Sequence, residues 1–125
     1  MTLRRLLLVL AGGTVGTAAR LALGLVLPAA GFPWAILVAN VVGALSIGIV
    51  AARLPATAEL RLFLATGVLG GFTTYSAFTT GTLELWTDAP LAAFAYAAGS
   101  PVLGLSAAVL GLWIGRPRAA TEAGA

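Results

Sequence analysis

Residues 70–78 read GGFTTYSAF, a run of hydroxyl and aromatic side chains within a stretch whose hydropathy is typical of a membrane span. The pair of glycines favours a break in the helix, and polar side chains follow that break at membrane depth. Non-helical backbone is tolerated there only where protein buries it or water lines it. We therefore expect a helix broken at the glycine pair, with the functional site beside the break.

The composition predicts a membrane protein. Of the 125 residues, 60% are hydrophobic and 9% are charged, whereas a soluble domain has roughly 25% charged residues. Uncharged runs cover 21–52, 62–83 and 89–115, and the first contains Pro28, Gly31 and Pro33, which mark a turn. We expect a single all-α unit over 1–125 with four spans, each near the ~20 residues that cross a bilayer: Arg4 to Leu27, Trp34 to Ala52, Leu62 to Trp86 and Ala89 to Gly115.

The residue types that are missing exclude several functions. The sequence has no cysteine and no histidine, which excludes disulfides, thiol nucleophiles and the usual transition-metal ligands. Its charged residues include no cluster of acid, base and nucleophile, so we predict no enzyme activity. The basic residues are arginines near predicted helix ends rather than a patch, so we expect no nucleic-acid partner.

The arginines predict the orientation in the membrane. On one side of the membrane the predicted loops contain no arginine, and the charged residues near that side are Glu84 and Asp88. Because basic residues are enriched in cytoplasmic loops, we expect both termini in the cytoplasm. Six arginines fall on the side of both termini and of the loop between the second and third spans: Arg4, Arg5, Arg53, Arg61, Arg116 and Arg118.

The first span carries small residues and one charge at four-residue spacing: Gly12, Gly16, Arg20 and Gly24. Glycines at this spacing are typical of close helix packing. An arginine within a span costs at least ~2.5 kcal/mol on insertion scales, so we expect Arg20 to face a vestibule or a partner, where it could attract an anion. The alternative is that its side chain extends to the nearer membrane surface.

Polar side chains on the other spans each have two interpretations. Asn40, the one amide side chain in the sequence, could join helices or donate its NH2 group to an anion. Tyr96 and Ser100 lie four residues apart on the fourth span, and their hydroxyls could bond back to helical carbonyls or line a polar path.

Aromatic and hydroxyl side chains share one face of the third span: Tyr75, Phe78, Thr79 and Thr82. An aromatic stripe is more often packing than chemistry. Because ring edges are electropositive, Tyr75 and Phe78 turned edge-on could also line an anion path, with Thr79 as a further donor.

Four motifs in order resemble the Fluc/CrcB fluoride channels along nearly the whole chain. The first-span motif is Gly12-Gly13-x-x-Gly16-x-x-x-Arg20, and the second-span motif is Asn40-x-x-Gly43-x-x-x-x-Gly48. The run at 70–78 resembles the third-span hallmark of that family, and Tyr96-x-x-x-Ser100 resembles its fourth-span polar pair.

The resemblance implies an antiparallel dimer with two fluoride pores and a central structural sodium ion where the two broken third helices cross. It implies that the backbone carbonyls of Gly70 and Thr73 bind the sodium ion and that Arg20 lies in the vestibule. The implied pore residues are the two aromatics, the anion donors and the polar track: Tyr75, Phe78, Asn40, Thr79, Tyr96 and Ser100.

The sequence departs from the family pattern at three positions. Tyr75 stands where the family usually has phenylalanine, which adds a hydroxyl that needs a partner. Gly81 stands where many members carry a glutamate, and Glu84 follows one turn later. Leu45 replaces a common phenylalanine, which we interpret as a packing change.

We therefore predict a fluoride-selective, passive channel in the lipid bilayer of a bacterial inner membrane. One alternative is a small multidrug-resistance-type proton antiporter, but such a transporter needs a carboxylate in its first span, which here has Arg20 and no acid. A non-conducting scaffold would leave the polar run of the third span unexplained. The arginine bias leaves two dimers open, a homodimer and a heterodimer with an oppositely oriented homologue.

Overall fold

The structure, a computed structural model, describes residues 2–28 and 30–117, and every regular element in these ranges is helical. Helices α1 (Leu3–Val26) and α2 (Trp34–Arg53) come first. A divided third stretch follows, as α3 over 59–72 and α4 over Tyr75–Asp88, and α5 covers Pro90–Gly115. Helices α1, α2 and α5 are each long and apolar enough to cross a membrane. The four predicted helical stretches, the third of them broken, are confirmed.

Local sequence signals explain several helix starts. Thr2 caps α1 by accepting a hydrogen bond from the Arg5 N–H, and Pro90 is the first residue of α5, where its missing N–H costs nothing. The connection from α1 to α2 contains Gly31 with φ +81°, a left-handed conformation that favours glycine.

Helix α3 has an unusual backbone. It begins as the α-helical turn Glu59–Arg61, continues as a π-helix over Leu62–Leu69 and ends as the α-helical turn Gly70–Phe72. In the π-helix the hydrogen bonds span five residues, and the Gly70 N–H accordingly reaches the Ala65 carbonyl. The sequence analysis did not predict this segment.

The break in the third span lies after the glycine pair, so its predicted position was wrong. Gly70 and Gly71 are helical, whereas Thr73 (φ −82°, ψ 153°) and Thr74 (φ −151°, ψ 125°) are extended. Gly71 serves close packing instead, because a side chain there would meet the backbone of Gly13 on α1.

Glycines bring the helices into backbone contact. A side chain on Gly12 or Gly16 of α1 would meet the backbone of α3, and one on Gly48 of α2 would meet the backbone of α5 near Gly111. Gly24, the last member of the predicted row, has nothing within 4 Å in the described part of the chain. These contacts make α1 parallel to α3 and α2 parallel to α5.

These helix directions place the described loop arginines at one end of the bundle. Arg4 forms an ion pair with Glu59 at 2.6 Å, which joins the starts of α1 and α3. The Arg61 side chain donates to the Leu54 carbonyl at 3.0 Å and closes the connection from α2 to α3. Arg118, which the topology count also included, lies outside the described residues.

The outside of the bundle is apolar. Leu25 on α1, Leu91 on α5 and Trp113 on α5 are 89%, 83% and 68% exposed. The buried cluster is small, with Leu85, Ala93 and Tyr96 packed between α4 and α5. An apolar surface of this extent is typical of a chain that contacts lipid or another subunit.

Candidate functional site

The break between α3 and α4 is held by a side chain of α2. The Asn40 amide oxygen accepts a hydrogen bond from the Thr74 N–H at 2.8 Å, and its NH2 group donates to the Thr74 carbonyl at 3.1 Å. An extended residue that has lost its helical partners thereby regains both backbone hydrogen bonds. Thr74 also starts α4, because its hydroxyl accepts from the Ala77 N–H at 3.2 Å.

On the other side of the break, α1 contacts the end of α3. The Gly71 carbonyl accepts hydrogen bonds from the Thr17 hydroxyl at 3.4 Å and from Arg20 Nε at 3.3 Å. Carbonyls in the last turn of a helix lack intrahelical donors, and a carbonyl oxygen can accept two hydrogen bonds. Two side chains from α1 therefore satisfy one carbonyl beside the break.

Two other carbonyls beside the break have no donor. Within residues 2–28 and 30–117, no hydrogen bond reaches the carbonyl of Gly70 or of Thr73. The N–H group that would serve Gly70 in a continuous helix belongs to Thr74, and it donates to Asn40 instead. Both residues line a cavity, so these oxygens are available to a ligand.

This first cavity, which we call the pore cavity, has a volume of about 610 Å³ and lies among α2, the break and α5. Its walls are mainly apolar. A few lining residues have polar side chains, and two carry aromatic rings. The predicted site residues on its walls are Asn40, Gly70, Thr73, Tyr75, Phe78 and Ser100.

An aromatic cluster forms one wall of the pore cavity. The Phe78 ring lies 5.2 Å from the Tyr96 ring and 5.8 Å from the Tyr75 ring, measured between centroids. Phe32 meets Tyr96 edge-on at 5.3 Å. Phe78 is half-buried, whereas Tyr75 is 80% exposed, so one of the two predicted pore aromatics is packed and the other is free on one side.

Tyr96 and Ser100 carry the two buried side-chain polar atoms that lack a hydrogen-bond partner within the described residues. Most other hydroxyls in the spans bond back to their own helix: Thr79 to Tyr75, for example, and Ser106 to Val102. The structure therefore contradicts the interpretation in which the Tyr96 and Ser100 hydroxyls bond to helical carbonyls. A buried hydroxyl without a partner is costly, which favours a bound ligand or water beside it.

A second cavity, the vestibule, has a volume of about 1090 Å³ and opens at the end of the bundle opposite the loop arginines. Arg20 lines it, and Glu84 and Asp88 lie on its α4 wall, where both are exposed. Thr74 is the residue that lines both the vestibule and the pore cavity. The break therefore separates the two cavities.

A family model described as CrcB-like protein, Camphor Resistance (CrcB), matches residues 7–112. The chain belongs to the CrcB family. Curated relatives named fluoride-specific ion channel FluC come from Mesorhizobium japonicum (42% identical, covering 89% of this chain and 95% of the relative) and Hyphomonas neptunium (46%, covering 88% and 94%). Another, from Thermus thermophilus, is 42% identical and covers 90% of this chain and 96% of the relative.

In this CrcB-family chain, two of the predicted site residues line neither the pore cavity nor the vestibule. Tyr96 is buried behind the Phe78 ring. Thr79 is exposed on α4 and lines neither cavity, so its role as an anion donor stays a prediction. Among the described residues, no group of three or more His, Cys, Asp or Glu side chains could hold a metal ion.

The sequence analysis missed Thr17 and Thr74 as site residues. Thr17 reaches Gly71 across 54 positions, and Thr74 meets Asn40 across 34. Thr74 carried a usable signal, because a threonine before a helical segment is a common N-cap. Thr17 carried none, since a single hydroxyl on an apolar helix usually bonds to its own backbone.

Proposed function

We propose that this chain is a subunit of a fluoride-selective, passive channel. Relatives that are 42% and 46% identical to it over most of its length are named fluoride-specific ion channels. The observation that carries the proposal is the pore cavity, whose walls bring together Asn40, Phe78 and Ser100 in an otherwise apolar setting. A narrow path with a few donors suits a small, strongly hydrated anion.

The proposed anion route begins in the vestibule and enters the pore cavity past Thr74. The Arg20 guanidinium lies in the vestibule wall and attracts anions. Among the described residues, Arg20 donates a hydrogen bond to Gly71 through Nε alone, which leaves its other guanidinium N–H groups available to an anion. Thr74 then marks the passage, because it lines both cavities.

In the pore cavity, three kinds of donor would replace the water that fluoride loses. The Asn40 NH2 group donates one hydrogen to the Thr74 carbonyl, and its second hydrogen is available to the anion. Ser100 on the cavity wall and Tyr96, buried behind the Phe78 ring, would supply a polar track beside the cavity, and ring edges of Phe78 and Tyr75 carry partial positive charge. The described walls of this cavity include no full positive charge, which keeps binding weak enough for release.

Conduction of this kind needs no chemical step, so the proposed function is not that of an enzyme. It is also distinct from proton-coupled exchange, which needs a carboxylate at membrane depth. In the described spans, the carboxylates lie towards helix ends: Glu59 begins α3, and Glu84 and Asp88 are exposed near the end of α4.

The free carbonyls of Gly70 and Thr73 fit a structural sodium ion. Carbonyl oxygens of unwound helices are typical ligands of sodium in membrane proteins. The described walls of the pore cavity contain no carboxylate, which suits a monovalent ion better than a divalent one. When bound, the ion would neutralise the partial negative charge of these oxygens and hold the broken ends of α3 and α4 together.

An antiparallel dimer would cover the surface that this subunit leaves open. Gly70 is exposed, and Tyr75 is 80% exposed at the edge of the pore cavity. A second subunit placed there would supply more carbonyl ligands to the ion and close each pore. The arginine-rich end favours a single orientation for this chain, so the partner is a second copy inserted the opposite way or an oppositely biased homologue. We place the dimer in the bacterial inner membrane.

Fluoride efflux from vesicles reconstituted with the purified protein tests the proposal. We expect vesicles loaded with potassium fluoride to release fluoride after valinomycin is added, and vesicles loaded with potassium chloride to retain chloride. Protein-free vesicles are the control. Equal release of the two anions would contradict selectivity, and no release would indicate a scaffold or an antiporter.

A further inference from the structure

The Thr17 hydroxyl has an unusual partner for a hydroxyl in a helix. Thr14, one turn earlier on α1, donates to the Leu10 carbonyl of its own helix at 2.9 Å. Most helical hydroxyls in the described part of the chain likewise donate to a carbonyl of their own helix. Thr17 instead donates to Gly71 on α3 at 3.4 Å. It lines neither the vestibule nor the pore cavity, so direct contact with the permeating anion does not explain this arrangement.

Helix α1 holds Gly71 by two hydrogen bonds to its carbonyl and by close backbone packing. Thr17 and Arg20 donate to the carbonyl, and a side chain on Gly71 itself would collide with Gly13. On the same helix, Gly16 leaves no room for a side chain against Val68 and Phe72. Helix α1 therefore holds the last turn of α3 at backbone distance, directly before the break.

The direction of one carbonyl constrains its neighbours, because each peptide group is planar and two dihedral angles per residue connect successive groups. The Gly70 peptide group is adjacent to the Gly71 peptide group, and the Thr73 carbonyl follows two residues later. The Gly70 and Thr73 carbonyls have no donor within the described residues, and both residues line the pore cavity. Holding the Gly71 carbonyl in place with two hydrogen bonds therefore restricts the directions that these two carbonyls can take.

We propose that Thr17 is a positioning residue: with Arg20, it holds the Gly71 carbonyl so that the Gly70 and Thr73 carbonyls point to the structural sodium ion. This inference rests on the proposed function, in which those two carbonyls bind sodium. Thr17 acts on cation affinity through the backbone and does not contact the anion.

The test is the sodium dependence of two properties in four variants. Thr17→Val keeps the shape of the side chain and removes the donor, and Thr17→Ala removes the donor with a smaller side chain. Thr17→Ser keeps the donor. Thr14→Val is the matched control, because it removes a hydroxyl from the same helix that bonds only to its own turn. Each protein is purified in N-methyl-D-glucamine chloride and titrated with sodium chloride.

The melting temperature and the fluoride efflux rate are measured at each sodium concentration. For the wild type, Thr17→Ser and Thr14→Val we expect the same half-maximal sodium concentration. For Thr17→Val and Thr17→Ala we expect a value about three- to tenfold higher, with near wild-type efflux at saturating sodium. If the Thr17 hydroxyl served only packing, the isosteric Thr17→Val variant would have the half-maximal sodium concentration of the wild type.

The contradicting results differ between the inference and the proposed function. A Thr17→Val protein with the wild-type sodium dependence would overturn the positioning role alone. A Thr17→Val protein that loses efflux at every sodium concentration, with an unchanged melting response, would overturn it as well. A wild-type melting temperature that does not respond to sodium would overturn the sodium site and this inference together, while fluoride efflux from the same preparation would still support the channel.

Discussion

Ser100 and Ser106 lie on the same helix, but their hydroxyls have opposite environments. Ser106 is exposed and donates to the Val102 carbonyl at 2.8 Å. Ser100 is turned inward, and its hydroxyl has no partner in the described part of the chain. A helical serine can satisfy itself by bonding to the preceding turn, so the unpaired Ser100 hydroxyl supports its proposed place in the polar track.

Ser100→Ala should therefore raise stability and lower conduction at once. Removing a buried, unpaired hydroxyl relieves a penalty of about 1 kcal/mol, which corresponds to a rise of a few degrees in melting temperature. Fluoride efflux should fall because the polar track loses a donor. Ser106→Ala is the control and should change neither property by a comparable amount. A Ser100→Ala protein that is less stable and conducts normally would contradict this role.

Phe78→Ile should reduce fluoride efflux by roughly tenfold or more, because it keeps an apolar side chain and removes the electropositive ring edge. The dimer should still assemble, as judged by size-exclusion chromatography. Phe94→Ile is a matched control, since Phe94 lies on α5 with 66% of its surface exposed. Efflux near the wild-type rate in Phe78→Ile would show that the ring only packs against Tyr96.

Much of the candidate site could be predicted from the sequence, and the rest depended on contacts between distant residues. Asn40, Phe78 and Ser100 stand out because polar or aromatic residues in an apolar span are informative. Their exact partners do not follow from spacing. Asn40 had two interpretations, and the structure shows the helix-joining contact directly, while its role as an anion donor stays a prediction.

At the scale of elements, the four helical stretches follow from hydropathy, whereas the interior of the third does not. Residues 62–69 are almost uniformly apolar, so no polar face reveals whether the turn has α or π geometry. The position of the break was also predicted wrongly from the sequence. Glycines were interpreted as breakers, but Gly71 is required for close approach to Gly13, and Asn40 and Thr74 determine where the helix ends.

Gly16→Ala should disrupt the packing of α1 on α3. The new methyl group would meet the Val68 carbonyl and the Phe72 N–H, and overpacking of this kind costs typically 1–3 kcal/mol. We expect a low yield of folded protein and a lower melting temperature. Gly24→Ala is the control, because its methyl group would meet nothing within 4 Å in the described residues. Equal stability of the two variants would contradict the proposed role of backbone contact.

For the whole molecule, the arginine-rich end raises the question of orientation. Arg4, Arg5, Arg53, Arg61 and Arg116 share that end, and Arg4 is partly neutralised by its ion pair with Glu59. The excess of arginine at this end is still large enough to favour one orientation in the membrane. An antiparallel dimer would then need an oppositely oriented homologue, unless enough copies of this chain insert the other way.

A single cysteine tests the orientation, because the native sequence has none. In whole cells that express Thr2→Cys alone, we expect most of the thiol to react with a membrane-permeant maleimide and little with an impermeant one. This result would place the first helix start in the cytoplasm and favour the heterodimer. Thiols exposed equally on the two sides, seen as impermeant labelling that reaches about half of the permeant labelling, would indicate dual topology and a homodimer.

The reversal potential of reconstituted channels in a planar bilayer tests the central claim most directly. With a tenfold gradient of fluoride and equal chloride on both sides, a fluoride-selective passive channel should reverse near the fluoride equilibrium potential, about 59 mV in magnitude, and a pH gradient should not move it. A reversal potential near zero, which is the chloride equilibrium potential here, or one that moves with the pH gradient, would contradict this claim.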